Sequence, residues 1–291
     1  MKTSICNYIL KWVENNICTG NGINELVLST GYSRKTIELW FYKVYKISLY
    51  SYLLRRRMTF AATLLKLTTI SITEIAYILH YSSHQNFCRA FKKYTSKTPT
   101  EYRNEEEWDF SVMQWTLLYQ SKNAHAYKLI KMKKQYFSGA GFIVVDNLHQ
   151  GGGDKLSSNI KDIVNFLWSR NKSDVIVLFD MKDKLTRSLI NIENFNESDV
   201  YFKLKVGSLK TSYTEGDIVI PEGDYLNYIF SGSWEDYRTY SRPLYVKIMS
   251  KIKAKLKNSP VFVRFLYKEN MPNNKNDYVE CEIYSPVNEV K

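Results

Sequence analysis

The sequence lacks the features that mark several large classes of protein. No run of eighteen apolar residues occurs among its 291 residues, so nothing in it predicts a transmembrane helix. The opening segment MKTSICNYILKWVENN carries charges inside its apolar pattern, as an amphipathic helix does and a signal peptide does not. The four cysteines have neither metal-ligand spacing nor a disulfide framework, which predicts free thiols in a reducing cytoplasm: Cys6, Cys18, Cys88 and Cys281.

Motifs that carry chemistry are missing as well. GGGD at Gly151–Asp154 lacks the Gly-Lys-Ser/Thr ending that a phosphate loop requires, so we interpret it as a flexible connection. His125 and His149 have no acidic or cysteine partner at catalytic spacing, and no Ser, His and Asp order stands out. We therefore predict a protein that is not an enzyme and needs no metal or cofactor.

Acidic residues are scarce in the first third of the chain. Residues 1–104 contain 15 Lys and Arg against 5 Asp and Glu, a net charge of +10, whereas the whole chain carries +12. This asymmetry favours a polyanion as the partner of one domain and not of the other. A basic but merely solvated surface is the alternative.

Glycine and proline are also rare in this third, and apolar residues recur at spacings of three and four, which predicts helices. One pattern occurs twice: INELVLSTGYSRKTIELWFYKVY from Ile23, and ITEIAYILHYSSHQNFCRAFKKY from Ile72. Each copy predicts a short helix, a tight turn and a second helix. Gly31 suits a positive φ in the turn and Ser33 is a natural N-cap. His80 occupies the Gly31 position in the second copy.

Such a unit is typical of a helix-turn-helix, whose second helix enters the DNA major groove, although two helical hairpins that only pack a core are the alternative. The spacer SLYSYLLRRRMTFAATLLKL, from Ser48 to Leu67, predicts one continuous amphipathic helix. A helix of this length spans roughly 30 Å. Successive major-groove segments on one face of B-DNA lie roughly 34 Å apart. The spacing therefore predicts that one chain binds DNA as a monomer through both units.

Four stretches carry a family resemblance: GYS at Gly31, Y-x-x-x-x-R-M-x-x-A-x-x-L-L over Tyr52–Leu65, I-x-x-I-A over Ile72–Ala76, and F-x-x-x-x-x-x-x-P-x-x-Y-R over Phe91–Arg103. With them, residues 7–104 resemble the AraC/XylS family of transcriptional regulators, in particular its small activators of the MarA, SoxS and Rob kind. The resemblance implies double-stranded promoter DNA and RNA polymerase as partners.

The resemblance also implies which side chains read bases: Lys35, Glu38 and Leu39 in the first copy, and His84, Gln85, Cys88 and Arg89 in the second. Arginine can bond guanine O6 and N7 together and glutamine suits adenine, whereas leucine can only contact the thymine methyl. A phosphate contact or a surface salt bridge is the alternative for Arg89. Leu39 stands where the second copy has Arg89, and the family's small activators usually carry arginine there. The first helix therefore either reads a different, T-containing half-site or docks with little discrimination.

Basic residues near helix ends and turns are expected to contact the DNA backbone: Arg34, Arg55, Lys92, Lys93, Lys97 and Arg103. Successive side chains point about 100° apart around a helix, so the run Arg55–Arg57 cannot face DNA as a whole. At least one of these arginines should be solvated or salt-bridged.

Beyond the acidic segment NEEEWDFSVMQW the pattern changes to alternation, which predicts strands at 144–145, 175–179, 200–204, 225–230, 261–266 and 278–283. Helical stretches fall at 158–169 and about 240–256. The order strand, helix, strand, strand occurs twice. We therefore predict an α+β domain made of a duplicated β-α-β-β unit, with antiparallel sheets, helices on one side and a cleft between the halves.

Residues 125–287, with IPEGDYLNYIFSGSWEDY and the closing VECEIYSPV, resemble the GyrI-like effector-binding domain. That resemblance implies a lipophilic, often cationic, small molecule in an aromatic cleft with an acidic group. Glu282 matches the closing-strand glutamate, and Glu280 shares its face by strand alternation. Solvated glutamates and ordinary core tyrosines are the alternative. The expected pocket residues are Glu282, Glu280, Tyr225, Tyr228, Trp234 and Tyr284.

The sequence thus predicts two domains: an all-α DNA-binding domain at 1–107 with two helix-turn-helix units joined by a long helix, a linker at 108–124, and an α+β GyrI-like domain at 125–291. The predicted function is a cytoplasmic bacterial transcriptional activator that has no membrane partner and senses a small molecule or a protein. A GyrI-like hydrolase with Glu282 as its base and an architectural DNA-binding protein are the alternatives.

Overall fold

The computed structural model describes residues 2–118, 126–147, 154–179, 199–252, 254–269 and 277–288. The helices are α1 Lys2–Asn15, α2 Ile23–Thr30, α3 Arg34–Tyr45, α4 Leu49–Leu67, α5 Ile72–Ile78, α6 His84–Thr95, α7 Pro99–Asn104, α8 Asp154–Asn171 and α9 Trp234–Ile252. The strands are β1 Glu107–Asp109, β2 Tyr127–Met132, β3 Gln135–Asn147, β4 Val175–Phe179, β5 Asp199–Lys210, β6 Ile218–Ile220, β7 Gly223–Ser233, β8 Lys255–Lys257, β9 Val261–Phe265 and β10 Tyr278–Pro286. The N-terminal region is helical and the C-terminal region is rich in sheet, as the sequence predicts.

Each copy of the N-terminal repeat forms a helix, a turn and a second helix, α2–α3 and α5–α6. Gly31 has a φ of 69°, and the Ser33 hydroxyl accepts the Thr36 N–H at 3.2 Å, which confirms the predicted turn and N-cap. His80 has a φ of 54° although it carries a side chain. Its Nε2 lies 3.0 Å from the carbonyl oxygen of Cys18, and this contact holds the ring against the loop that follows α1. Both turns therefore use the left-handed conformation.

The predicted long helix is α4, and the Ser48 hydroxyl caps its N-terminus by accepting the Ser51 N–H. Each repeat contributes to a different apolar core. The first repeat packs with α1 and the beginning of α4 in a core that includes Ile9, Ile37 and Phe41. The second repeat belongs to a larger core that continues into the C-terminal region. Val44, near the C-terminal end of α3, is exposed.

The C-terminal region is built on one antiparallel sheet of eight strands in the order β2-β7-β10-β9-β4-β5-β3-β6. The predicted strands are all present, and β5, β7 and β10 are longer than expected. α9 begins at Trp234, earlier than predicted, because the Ser233 hydroxyl accepts the Asp236 N–H at its first turn. Residues 255–257, expected at the end of this helix, form β8 and pair with β1. Of the GGGD segment, residues 151–153 lie outside the described residues, as do His125 and His149.

The two faces of this sheet are covered differently. α8 and α9 pack on one face, where Val177, Tyr228 and Phe265 are buried. The opposite face carries a smaller apolar cluster that includes Phe137, Leu178, Tyr225 and Phe262. No helix among the described residues is both long and apolar enough to cross a membrane.

Candidate nucleic-acid interface

The face of α3 that the sequence assigns to base reading lies on the surface. Lys35 is exposed, Glu38 is half-buried and Leu39 is 46% exposed. On the opposite side of the same helix Ile37 and Phe41 are completely buried. The exposed leucine is therefore a surface side chain of α3 and does not belong to the core.

One charge on this face of α3 already has a partner. Arg34 Nε lies 3.0 Å from Glu38 Oε1, and the side chains of Arg34 and Glu38 are 55% and 39% exposed. An exposed ion pair at this helical spacing contributes only about 0.3–0.5 kcal/mol. Arg34 can therefore exchange Glu38 for a phosphate at little cost.

The matching face of α6 has a different polar surface. Gln85 and Arg89 are exposed, whereas His84 and Cys88 are half-buried, with Cys88 Sγ 3.5 Å from His84 Nε2. Arg89 donates from Nη2 to Asn86 Oδ1 at 2.8 Å.

Asn86 also donates to the Ser82 hydroxyl at 2.7 Å, and so connects Arg89 to the turn that precedes α6. The sequence analysis did not single out Asn86. Its position three residues before Arg89, one turn away on the same helix, was the available signal.

The predicted phosphate contacts fall into two groups. Arg55, Lys92 and Lys93 are exposed. Lys97 instead forms an ion pair with Glu105, and Arg103 is half-buried and donates to the carbonyl of Ile70. Burial also lowers the pKa of Arg103. Arg103 therefore joins α7 to Ile70, just before α5, and this bond competes with the phosphate contact expected of it.

The run of three arginines divides as the helical geometry predicts. Arg55 is exposed, but Arg56 is buried against Glu14. Arg57 donates to the backbone carbonyls of Ile17, at 3.1 Å, and Asn21, at 2.7 Å. Of the three, only Arg55 is exposed.

The sheet face opposite α8 and α9 is covered by no helix of the described residues, and we call it the helix-free face; it holds four of the six residues expected in an effector pocket. Glu280, Glu282 and Tyr284 alternate along β10 with buried neighbours, and Tyr225 contributes to the apolar cluster of the same face. Glu282 accepts a hydrogen bond from the Tyr284 hydroxyl at 2.7 Å and stands opposite Arg264 in the β9–β10 pairing. Burial and the bond to Glu282 together raise the pKa of Tyr284.

Neither carboxylate on this face is an isolated negative charge. Glu280 forms an ion pair with Lys268. Arg264 forms its ion pair with Asp174, at 2.7 Å; burial lowers the pKa of Arg264, and Asp174 outweighs it, with a smaller contribution from Glu282. The charge of Glu280 is therefore compensated by Lys268, whereas Glu282 shares Arg264 with Asp174 and accepts a hydrogen bond from the Tyr284 hydroxyl.

The structure does not bring Tyr228 and Trp234 to this face. Both are buried on the side of the sheet that α9 covers, where Trp234 stacks on Phe265 at 5.6 Å. The pairing of Tyr228 with Ile283 assigns it to that side, because directly paired residues point the same way. These two aromatics are core residues, which corrects their expected place in the pocket.

A polar group that sequence reasoning missed lies beside Tyr284. Asn227 pairs with Tyr284 in the sheet and is 1% exposed. Among the described residues, neither Oδ1 nor Nδ2 of this side chain has a hydrogen-bond partner. Buried polar groups in folded proteins are nearly always paired, so this amide is unusual. Within the described ranges, no three His, Cys, Asp or Glu side chains are grouped to hold a metal ion.

Comparison with known proteins supports the reading of the N-terminal region. A family model described as a helix-turn-helix domain matches residues 26–105. The chain is 32% identical over 142 residues to the HTH-type transcriptional regulator YkgA of Escherichia coli K12, a match that covers 49% of this chain and 59% of YkgA. It is 33% identical over 111 residues to the TetD protein of transposon Tn10 from Escherichia coli, covering 38% of this chain and 80% of TetD.

Two further relatives differ in how far the likeness extends. The F1 operon positive regulatory protein of Yersinia pestis is 26% identical over 246 residues, 81% of this chain and 74% of that protein. Transcriptional regulator Rob of Salmonella typhimurium is 32% identical over 107 residues, 37% of each chain. This chain therefore spans 59% of the length of YkgA and 37% of the length of Rob.

The likeness to TetD covers most of that protein, and its extent is close to that of the two helix-turn-helix units described above. Both units present an exposed polar face on their second helix, and one rigid helix joins them. On these grounds the chain belongs to the AraC/XylS family of transcriptional regulators.

Proposed function

We propose that the protein is a sequence-specific transcriptional activator that binds promoter DNA as a monomer. The observation that carries this proposal is the pair of exposed faces on α3 and α6, joined by the single helix α4. The 19 residues of α4 span about 28 Å. That length allows α3 and α6 to enter neighbouring major-groove segments, which lie roughly 34 Å apart.

Under this proposal the two helices read DNA unequally. Arg89 and Gln85 of α6 would bond base edges, while Leu39 of α3 would contact a thymine methyl. Lys35, Glu38, His84 and Cys88 complete the two faces. Arg34, Arg55, Lys92 and Lys93 would bind phosphates, with Lys97 able to join them only by leaving Glu105.

Activation is proposed from the relatives. The name of the F1 operon positive regulatory protein describes a positive regulator, and its likeness to this chain extends over 81% of the chain. Membership of the family supports recruitment of RNA polymerase in the bacterial cytoplasm as the means of activation. The DNA-binding part is assigned to residues 1–107.

In-vitro selection of bound duplexes by the full chain tests the DNA-binding proposal. Arg89→Ala should relax one position of one half-site by about 1–3 kcal/mol, because a bidentate contact to a base is lost. Leu39→Arg should change the preferred base in the other half-site. If the unaltered protein and both variants select the same sequences, the two-helix proposal is wrong. Equal affinity for selected and random duplexes at one salt concentration would favour the architectural alternative, since regulators discriminate by about 10³ or more.

We further propose that residues 125–291 form a GyrI-like domain that binds a lipophilic small molecule on the helix-free face. The order of elements supports a duplicated unit: β3, α8, β4 and β5 are followed by β7, α9, β9 and β10. The second strands of the two units, β4 and β9, pair at the centre of the sheet. On each side of them lies the third strand of the unit and then its first strand: β5 and β3 on one side, β10 and β7 on the other.

The polar recognition on that face is assigned to Asn227, because Glu280 is ion-paired with Lys268 and Glu282 already accepts the Tyr284 hydroxyl. Asn227 is 1% exposed, so a ligand with an aromatic ring and a neutral amide would bond both atoms of its side chain by displacing the side chains that cover it. We therefore expect the full chain to bind benzamide more tightly than benzylammonium, measured by ligand-observed NMR, and Asn227→Leu to abolish the preference. A preference for benzylammonium that is lost in Glu282→Gln would instead establish a cation site. Turnover of a reactive ester that requires Glu282 would favour the hydrolase alternative.

A further inference from the structure

The segment after α7 has little regular structure, yet it is attached to the DNA-binding region along its length. We name residues 107–118 the brace. The brace begins in β1, continues without helix or strand after Asp109, and runs back along α4. Within the DNA-binding region its hydrogen bonds go to side chains of α4 and α6, while on the C-terminal side β1 pairs with β8 and the Phe110 carbonyl accepts from the Ser250 hydroxyl of α9. It therefore cannot be regarded as a free connection between domains.

The start of the brace is fixed at the end of α4 and beside α6. The Lys66 ammonium, near the C-terminus of α4, donates to the carbonyls of Glu105 and Glu107 at 2.6 and 2.9 Å. The hydroxyl of Tyr94, on α6, donates to the carbonyl of Val112. The end of the second recognition helix is therefore bonded directly to the brace.

The middle of the brace is fixed by both backbone groups of one residue. The N–H of Gln114 donates to the Thr59 hydroxyl at 2.8 Å, and its carbonyl accepts from Arg56 Nη1 at 2.9 Å. Thr59 is 2% exposed and lies near the centre of α4. The Arg56 guanidinium also lies over the ring of Trp115, 5.9 Å from its centroid.

The far end of the brace reaches the first helix-turn-helix unit. The N–H of Leu117 donates to the Tyr52 hydroxyl at 3.0 Å, and that hydroxyl donates to Glu14 of α1 at 2.9 Å. Burial raises the pKa of Tyr52, with a further contribution from Glu14, so the hydroxyl keeps its proton and can serve both partners. Leu117 and Leu118 pack against the apolar core of the first unit.

These attachment points form one line along α4. Tyr52, Arg56, Thr59 and Lys66 follow the three- and four-residue spacing of a single helix face. From the first to the last they span about 21 Å at 1.5 Å per residue. The brace therefore runs parallel to the axis that separates the two recognition helices, and it contacts the core of each unit.

We propose that the brace sets the distance and rotation between α3 and α6, and so determines which half-site spacing the protein accepts. Tyr52, Thr59 and Tyr94 are then positioning residues, since they act through the brace and do not touch DNA. The inference rests on the proposed two-helix binding. A single helix with a short turn at each end allows the two units to rotate about its axis, and a second attachment along its side opposes that rotation.

Thr59→Val in the full chain is the direct test, because it removes the acceptor for the Gln114 N–H while keeping the side-chain volume. Thr59→Ser keeps the hydroxyl and is the matched control. Each protein is titrated against its selected site and against the same site with one base pair inserted or removed between the half-sites. We expect the affinity ratio between correct and altered spacing to fall at least threefold in Thr59→Val and to be unchanged in Thr59→Ser.

Tyr94→Phe gives a second measurement that does not depend on the first variant folding. It removes the donor to Val112 together with the hydroxyl's contact with Thr59, and it should also lower the spacing ratio. If either folded variant weakens binding equally at every spacing, the hydroxyl it lacks has only a structural role and the proposal is wrong. If the unaltered protein selects no bipartite site at all, the failure is that of the two-helix function and not of the brace.

Discussion

At the residue scale, the ion pair of Glu14 and Arg56 places two charges in the interior of the N-terminal region. Two bonds, of 2.9 and 2.6 Å, join the guanidinium to the carboxylate, and both side chains are at least 95% buried. Burial alone would lower the pKa of Arg56, but the charge and hydrogen bonds of Glu14 outweigh it and raise the value. The arginine therefore stays charged inside the protein, and its stability depends on its partner.

Glu14→Gln is expected to lower the free energy of unfolding by about 3–5 kcal/mol, because it leaves a buried guanidinium without its counter-charge. Urea denaturation followed by circular dichroism measures the loss. Glu38→Gln is the control, since it breaks the exposed pair with Arg34 and should cost about 0.5 kcal/mol or less. A loss in Glu14→Gln as small as that of the control would show that the buried charge is compensated elsewhere.

Local residue features were predictable, and distant partners were not. The positive φ of Gly31, the cap at Ser33 and the exposure of Leu39 follow from neighbours within one helical turn. The burial of Arg56 depends on a residue 42 positions away. Helical geometry predicts that one of the three arginines faces away from solvent, but it does not predict which acidic residue forms an ion pair with it.

At the element scale, length decided part of what the sequence could predict; the six-residue strand β2 was not predicted although it is longer than β4 and β9, which were. α4 has 19 residues and an uninterrupted apolar pattern, and its bounds differ from the prediction only at the capping serine. β1, β6 and β8 have three residues each, too few for alternation to appear. Four of the six pocket residues share a face because strand alternation is a local rule. Strand alternation does not apply to Trp234, because α9 starts at that residue.

Strands β3 and β5 approach each other closely where two glycines pair, Gly139 and Gly207. A Cβ atom at Gly207 would lie 1.9 Å from the Ser138 carbonyl oxygen, and one at Gly139 would lie 2.3 Å from that of Val206. Both obstacles are backbone atoms, which cannot turn aside as a side chain can. Any larger residue at either position would force the two strands apart.

Gly207→Ala should therefore destabilise the C-terminal sheet by about 1–3 kcal/mol or more, as overpacking does in a close-packed interior. Gly141→Ala is the matched control on the same strand pair, since its Cβ would meet nothing closer than 3.8 Å. Thermal unfolding of the two variants gives the comparison. Equal melting temperatures for both would mean that the strands can separate at Gly207 without loss.

At the scale of the whole molecule, the boundary of the positively charged region does not coincide with a boundary between apolar cores. The excess positive charge belongs to residues 1–104, which the sequence alone establishes. The larger apolar core crosses that boundary, because it contains Phe91 of α6, Phe110 and Met113 of the brace, and Phe265 of β9. Composition could not predict this continuity, since the brace looks acidic and irregular and its few apolar residues follow no period.

Because the larger apolar core is shared with the C-terminal region, the two helix-turn-helix units alone are not a complete structural unit. The match to the helix-turn-helix family model ends at residue 105, yet a chain cut there would lose Phe110 and Met113 from beneath the second unit. The first unit has its own core and lies further from such a cut. The segment that the helix-turn-helix model matches is therefore shorter than the apolar core that supports the second unit, and an exchange of C-terminal domains between relatives would have to carry the brace with it.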